Sequence, residues 1–240
     1  MIGGEVLGRW RKIIIFLTVT VYACNRALTP IVKILMWFRK VKWGKNVQII
    51  GCRQIVIGGG LKIGDSTVVT INARRLPFGK LYCRDSLIGR NNFISVGRKM
   101  FLGRYFFSSN NCNLLCATHN YSDPLKSYEI APVMAKSRIW IQDNVFIGAD
   151  VKIVGNVKIG YGSFVNSNAV IISDVPPLSF VSGIPSKVVK RFDWSLKKWV
   201  NSEGFNDSTL PGYGVFRKQL AERTIYFNPH AYTCKAGWIY

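Results

Sequence analysis

Between Ile141 and Val175 a branched aliphatic residue returns at every sixth position, as Ile141, Ile147, Ile153, Ile159, Val165 and Ile171, without a gap. Four residues after each stands a second compact side chain: Val145, Val151, Val157, Ser163, Ala169 and Val175. A helix repeats near 3.6 residues and a strand near 2, so neither period alone produces a beat of six. Six is three strand periods, so each unit supplies one short strand and one corner and returns the same residue to the interior. Three units close a triangular coil and stacked coils share one core, so the pattern predicts an all-β solenoid, a hexapeptide parallel β-helix. Gly148, Gly155 and Gly160 are expected at its tight corners, in the positive-φ conformation that glycine tolerates.

Weaker copies of the beat stand upstream at Ile57, Ile63 and Val69, and again at Ile88, Ile94 and Met100. It is blurred at 74–77 and 106–112. The solenoid is expected from about Val47 to Val175, within a domain over 46–191. One sharp interruption, CATHNYSDPLKSYEIAPVMAKSRIW, leaves the beat after Leu115 and rejoins it at Ile139 or Ile141. Loops inserted into a rigid scaffold commonly carry function. This one, an inserted loop over 117–138, holds His119, one of two histidines in the chain. A neutral imidazole accepts a proton from a hydroxyl near pH 7; the alternative is a histidine that serves only as a structural hydrogen-bonding group.

Both ends differ from the repeat. Apolar residues at Ile14, Leu17, Val21, Cys24, Leu28, Ile31, Leu35 and Phe38 trace a helical stripe. With Thr29 and Pro30 as a cap and first-turn pair, they predict two helices near 6–28 and 30–40 in a segment over 1–45. The uninterrupted run from Ile13 to Cys24 is shorter than the ~20 residues a spanning helix needs. A secretory signal fits the basic residues before the apolar run, but Tyr22 fits its cleavage box poorly. A basic amphipathic hairpin lying on an anionic membrane accounts for both stripe and charge, and packing onto the open end of the solenoid is the competing account. The remaining residues, 192–240, form a C-terminal extension in which WSLKKWVNSEGF, starting at Trp194, is expected to make one short helix.

Charge adds a constraint on partners. Thirty-three Lys and Arg against twelve Asp and Glu give a net +21 over 240 residues, a field that attracts phospholipid head groups, phosphate-rich cofactors or nucleic acid. No interleaved stacking motif accompanies it, so nucleic acid is not the expected partner. Six cysteines without a C-x-x-C pair point to free thiols in a reducing cytosol rather than a zinc or redox site. Two histidines cannot make a three-histidine metal centre within one chain, and no metal is expected.

The segment ATH, then IWIQDNVFIGADVKIVGNVKIGYGSFVNSNAVIISDVPPLSFVSGIPSKVVKRF, resembles in order the hexapeptide-repeat O-acetyltransferases, which include maltose, galactoside and polysaccharide acetyltransferases. The resemblance covers about 88–192. It implies a left-handed parallel β-helix, a hand opposite to the general crossover rule, usually trimeric, with acetyl-CoA in a groove between subunits. It assigns His119 as the general base that takes a proton from a sugar hydroxyl as the oxygen attacks the thioester. Gly148 and Ala149 match the corner against the pantetheine arm, and Ser167 matches the same corner one coil later. Lys187 and Lys190 match phosphate contacts, with Arg191 assisting. The sequence departs from the family at Ser95, where several members have an asparagine that helps hold the acceptor, at Phe146, where a tryptophan is usual, and at Ile172 with Ser173, in place of a Thr-Lys pair near the cofactor. Asp123 and Glu129 are candidates to orient His119 or to meet the acceptor. The implied activity is O-acetyl transfer to a sugar of a surface polysaccharide or its lipid-linked precursor, by a homotrimer at the inner face of the cytoplasmic membrane. The alternative is a non-catalytic β-helix scaffold or a protein that binds anionic surfaces.

Overall fold

The computed structural model describes residues 41–223, apart from 51–54, 58, 72–78, 117, 133 and 135–136. The two expected N-terminal helices, with their membrane-surface role, lie outside the described residues, as do Cys24, Cys52, Cys234 and His230. Twenty short strands, beginning already at Lys42–Trp43, assemble into three sheets of nine, six and five strands. The chain visits the three sheets in rotation, so nearly every strand pairs in parallel with one a full circuit earlier and one a full circuit later. This is a prism of stacked triangular coils, a parallel β-helix.

Register shows how the beat builds the core. The first sheet stacks Trp43, Ile63, Ile88, Ser108, Ile147, Val165 and Val181. The second stacks Ile49, Val69, Ile94, Leu114, Ile153 and Ile171. In the third, Cys83, Leu102, Ile141 and Ile159 follow one another, and Val175 closes the column through a bridge. Because strand side chains alternate between faces, these columns point inward, and they merge into one buried cluster. The circuit from Ile147 to Val165 takes eighteen residues, three units of six. From Ile63 to Ile88 it takes twenty-five, and from Ser108 to Ile147 thirty-nine, with the His119 loop inserted.

The blur expected at 106–112 is a change of chemistry, not of geometry. Phe106, Ser108 and Cys112 are all buried, and Phe107–Ser108 is an ordinary rung of the first sheet. Its inward serine breaks the aliphatic pattern, and the buried side chain of Asn92 accommodates it. Asn92 Nδ2 donates to Ser108 Oγ at 2.9 Å and to the Ser109 carbonyl at 3.0 Å, while Asn92 Oδ1 accepts from Cys112 N–H at 2.7 Å. A buried polar cluster is tolerated where its groups are satisfied in this way.

The corner glycines also differ from expectation. Gly155 has φ +91°, as expected, whereas Gly148 and Gly160 are not in the positive-φ region. They are glycine because the next coil lies against them: a Cβ on Gly148 would sit 2.6 Å from Ser167 N, and one on Gly160 2.3 Å from Pro177 N. The left-handed corner positions go instead to residues such as Asn91, Asn111, Asp150 and Asn168, whose short polar side chains suit that conformation.

After the last parallel strand, Ser179–Ser182, the first sheet gains two antiparallel strands, Lys187–Asp193 and Lys198–Asn201. The helix expected from Trp194 is therefore a hairpin. Asp193 Oδ1 accepts from the N–H groups of Ser195 and Leu196, both at 2.9 Å, and Lys197 at φ +54° turns the chain back. Phe192 then faces Trp199, with ring centroids 5.4 Å apart.

A helix does form further on, at Tyr213–Arg223, and it docks against a corner of the prism through Asp143 and Tyr161. Asp143 Oδ2 pairs with Arg217 Nε at 3.0 Å, and its Oδ1 accepts from Arg104 N–H at 2.9 Å. Tyr161 donates to the Pro211 carbonyl and stacks on Tyr213 at 5.4 Å. Desolvation first, then the nearby Asp143 charge, pushes the Tyr213 phenol up to about 12 from 10. A raised pKa contributes stability that is fully present below the unfolded value and lost as pH rises through the folded one. Thermal melting is therefore expected to weaken between pH 10 and about 12. A Tyr213→Phe variant should show a shallower decline over that window; an unchanged slope would exclude this phenol as a source.

Candidate active site

The strand Asn113–Leu115 ends on the edge between the second and third sheets, and there the chain leaves the prism. Cys116 N–H still bonds to the Ser95 carbonyl at 2.9 Å, so the departure point is fixed. The two arms of the loop then pair with each other: Asn120 N–H donates to the Pro132 carbonyl at 2.8 Å and Met134 N–H to the Thr118 carbonyl at 3.0 Å. His119 sits inside that short ladder. Its Nδ1 lies 2.8 Å from the Ala131 carbonyl oxygen. A carbonyl only accepts, so Nδ1 is the donor, and in the neutral form of this exposed ring the lone pair belongs to Nε2. Sequence reasoning did not find Ala131, because a backbone acceptor supplied by the returning arm leaves no side-chain signal.

The two acidic candidates are arranged differently from that carbonyl. Asp123 Oδ1 accepts from Leu125 N–H at 3.1 Å and Oδ2 pairs with Lys126 at 3.3 Å, which closes a turn at the loop tip. Glu129 is exposed on the same tip. Around them Tyr121, Leu125, Tyr128 and Ile130 are exposed apolar side chains, Leu125 at 94% and Ile130 at 71%. Ser95 lies half-buried on the outer face of the second sheet, beside Leu115.

Gly148, Ala149 and Ser167 lie together on a different edge, between the first and second sheets. Ala149 N–H donates to Ser167 Oγ at 3.2 Å and Asn168 N–H to the Ala149 carbonyl at 2.9 Å. The same edge continues one rung further, where Val170 N–H bonds the Gly183 carbonyl at 3.1 Å and Ser186 N–H bonds the Val170 carbonyl at 2.9 Å. Lys187 follows at once and is exposed. A line of small residues thus climbs the edge, rung by rung at ~4.8 Å, and ends at a cation. Lys190 is exposed too, with Nζ 5.9 Å from the centre of the Phe180 ring.

Arg191 departs from its expected part. It is buried, its guanidinium pairs with Asp207 at 2.6 Å and with the Pro177 carbonyl at 3.2 Å, and it lies 4.9 Å from the Phe205 ring. Strand alternation explains this, since Lys190 and Arg191 necessarily point to opposite faces. Arg191 holds the C-terminal extension in place and is not free to meet a phosphate.

Cys83, Cys112 and Cys116 are free and buried. Desolvation pushes the Cys83 thiol up to about 12 and the Cys112 thiol to about 11, so neither offers a thiolate nucleophile near neutral pH. Among the described residues no group of three His, Cys, Asp or Glu side chains is placed to hold a metal ion, and no helix is long and apolar enough to cross a membrane.

No family model matches the chain. WbbJ of Escherichia coli K12, assigned to O-acetyl transfer in lipopolysaccharide biosynthesis, is 23% identical over 153 residues, 59% of this chain and 76% of WbbJ. Rv3034c of Mycobacterium tuberculosis, assigned as an acetyltransferase, is 29% identical over 154 residues, 62% of this chain and 49% of Rv3034c. The homologues of this chain are hexapeptide-repeat acetyltransferases. The chain spans about half the length of the second relative. A mutant of AntD, an N-acyltransferase from Bacillus cereus solved with dTDP and coenzyme A, superposes with a TM-score of 0.52 at 20% identity, over 68% of this chain and 90% of AntD. The two share the fold.

Proposed function

We propose that this protein is an O-acetyltransferase that moves acetyl from acetyl-CoA to a sugar hydroxyl of a surface polysaccharide or its lipid-linked precursor, on a left-handed β-helix. The observation that carries the reading is the 2.8 Å bond from His119 Nδ1 to the Ala131 carbonyl. It fixes the tautomer and turns Nε2 into a base held in one orientation. Nε2 takes the hydroxyl proton as the oxygen attacks the thioester carbonyl; the new C–O bond forms, the C–S bond breaks, and the proton leaves with the thiol. The line Gly148, Ala149 and Ser167 suits a long thin arm lying against backbone, and Lys187 and Lys190 supply cations for its phosphates. The acceptor enters beside the loop, where Ser95, Asp123 and Glu129 are the nearest polar candidates. The basic N-terminal segment brings the enzyme to the anionic inner face of the membrane.

One chain holds the base and the donor line on different edges of the prism, and no hydrogen bond joins the loop to that line among the described residues. A homotrimer resolves this: the edge at Gly148 in one protomer meets the His119 loop of the next, and the exposed apolar loop tip packs there. Leu125→Asp combined with Ile130→Asp is expected to convert the trimer to monomers in size exclusion with light scattering, while the far-ultraviolet spectrum stays unchanged. A trimer that survives both substitutions would remove the loop tip from the interface.

Incubation with acetyl-CoA and an oligosaccharide acceptor, followed by mass spectrometry before and after mild alkali, tests the reaction. An ester is cleaved by alkali and an amide is not. An acetyl group that survives alkali would make the protein an N-acetyltransferase, and failure of coenzyme A to raise the melting temperature would end the acyltransferase reading.

A further inference from the structure

The third sheet shows two parallel columns of side chains on its outer face. Register sets Lys80 beside Lys99 and Lys99 beside Arg138 in one column, and Tyr82, Phe101 and Trp140 in the other. The ring centroids lie 6.5 Å apart for Tyr82 and Phe101 and 5.3 Å apart for Phe101 and Trp140, tilted by 40° and 37°, so each ring leans on the next. The column ends at Trp140 because its neighbour on the following coil is Lys158. There a groove of about 290 Å³ opens, lined in part by Arg138, Gln142, Asn156, Lys158 and Asp174, with Trp140 still 46% exposed.

We propose that this groove is a binding subsite for an anionic oligosaccharide. One sugar ring lays its C–H face on the open side of Trp140, continuing the aromatic column by one member. Its hydroxyls bond to the amide and carboxylate groups around it. Asp174 Oδ1 is held by the Lys158 N–H at 2.7 Å, which leaves Oδ2 as an acceptor, and Gln142 Oε1 accepts from Tyr161 N–H at 3.1 Å, which leaves its NH₂ as a donor. A carboxylate or phosphate on the adjoining unit pairs with Arg138, Lys99 and Lys80. Charge complementarity selects such a ligand, since Arg138 and Lys158 line the groove against the single carboxylate of Asp174, and Lys99 and Lys80 continue the row from Arg138.

Single-stranded nucleic acid also seeks rings and cations, but successive bases need successive open ring faces. Here Tyr82 and Phe101 are half-buried along the column, and of the three rings Trp140 alone is exposed. The strand that carries Arg138 and Trp140 is also where the His119 loop re-enters the prism. The groove and the base therefore share a root, and the acceptor extends beyond the sugar that reacts. This last step rests on the acetyl-transfer reading above.

Isothermal titration of the full chain with tetragalacturonate, monomeric galacturonate, neutral maltotetraose and an oligothymidylate is the test. Tetragalacturonate is expected to bind at least tenfold more tightly than the monomer or the neutral tetramer. Trp140→Ala and Arg138→Gln should each weaken it about tenfold, the usual effect of truncating an anchor, and Trp140→Phe should recover most of the loss. Equal binding of tetramer and monomer, indifference to Trp140→Ala, or tighter binding of oligothymidylate through the same residues would each overturn the proposal. Coenzyme A binding, read separately as a thermal shift, keeps the two readings apart: its loss with Trp140-dependent titration intact would remove the transferase and leave the subsite.

Discussion

Replacing His119 by alanine is expected to slow acyl transfer by about 10²–10⁴-fold, the usual contribution of a positioned general base, with coenzyme A affinity unchanged. The side chain belongs to a loop that bonds to itself and to the rim of the prism, so its removal leaves the stacked coils intact. His119→Gln retains a donor toward Ala131 but no base of suitable strength, and it should be as slow as alanine. A variant that keeps more than a tenth of the wild-type rate would remove the imidazole from proton transfer.

Asp143→Ala is expected to cost about 2–3 kcal/mol, because it strips a buried carboxylate from three partners at once. Those partners are the Arg104 N–H, the Arg217 guanidinium and the Tyr213 phenol. At this chain length the loss corresponds to a melting temperature lower by about 5–10 °C. Asp143→Asn keeps an oxygen for the Arg104 N–H and should recover part of it. Limited proteolysis should then cut within Tyr213–Arg223 before any coil, since the carboxylate supplies the ion pair that joins that helix to the prism beside the Tyr161 and Phe216 contact. A melting temperature within one degree of wild type would show that Tyr161 and Phe216 hold the helix by stacking alone.

The readability of the chain follows its geometry. Between Ile141 and Ile171 each unit is six residues long and each keyed residue aliphatic, so periodicity alone gives fold and register. Further upstream the described strands keep the same parallel register, but Ser108 replaces an aliphatic residue and the circuit from Ile63 to Ile88 is longer than eighteen residues, so the pattern fades while the pairing persists. Gly148 and Gly160 were legible as special positions, while the reason, a second backbone pressed against them, depends on stacking that only the register reveals. Trp194–Phe205 reads as helix from its spacing and is a hairpin because Asp193 seizes the next two amide groups. The chemistry was legible in the same uneven way. A lone histidine in an inserted loop draws notice, but its Ala131 partner, the burial of Arg191 and the aromatic column of the third sheet come from residues far apart in sequence.

A stack of parallel rungs has no built-in last member, and each bare strand at its end is a template on which another copy could add. The antiparallel pair Lys187–Asp193 and Lys198–Asn201 reverses the direction of the first sheet at that point and makes Lys198–Asn201 its outermost strand. A further parallel rung on the first sheet would meet this reversed strand instead of one of matching direction, so the hairpin interrupts the repeat at that end of the sheet.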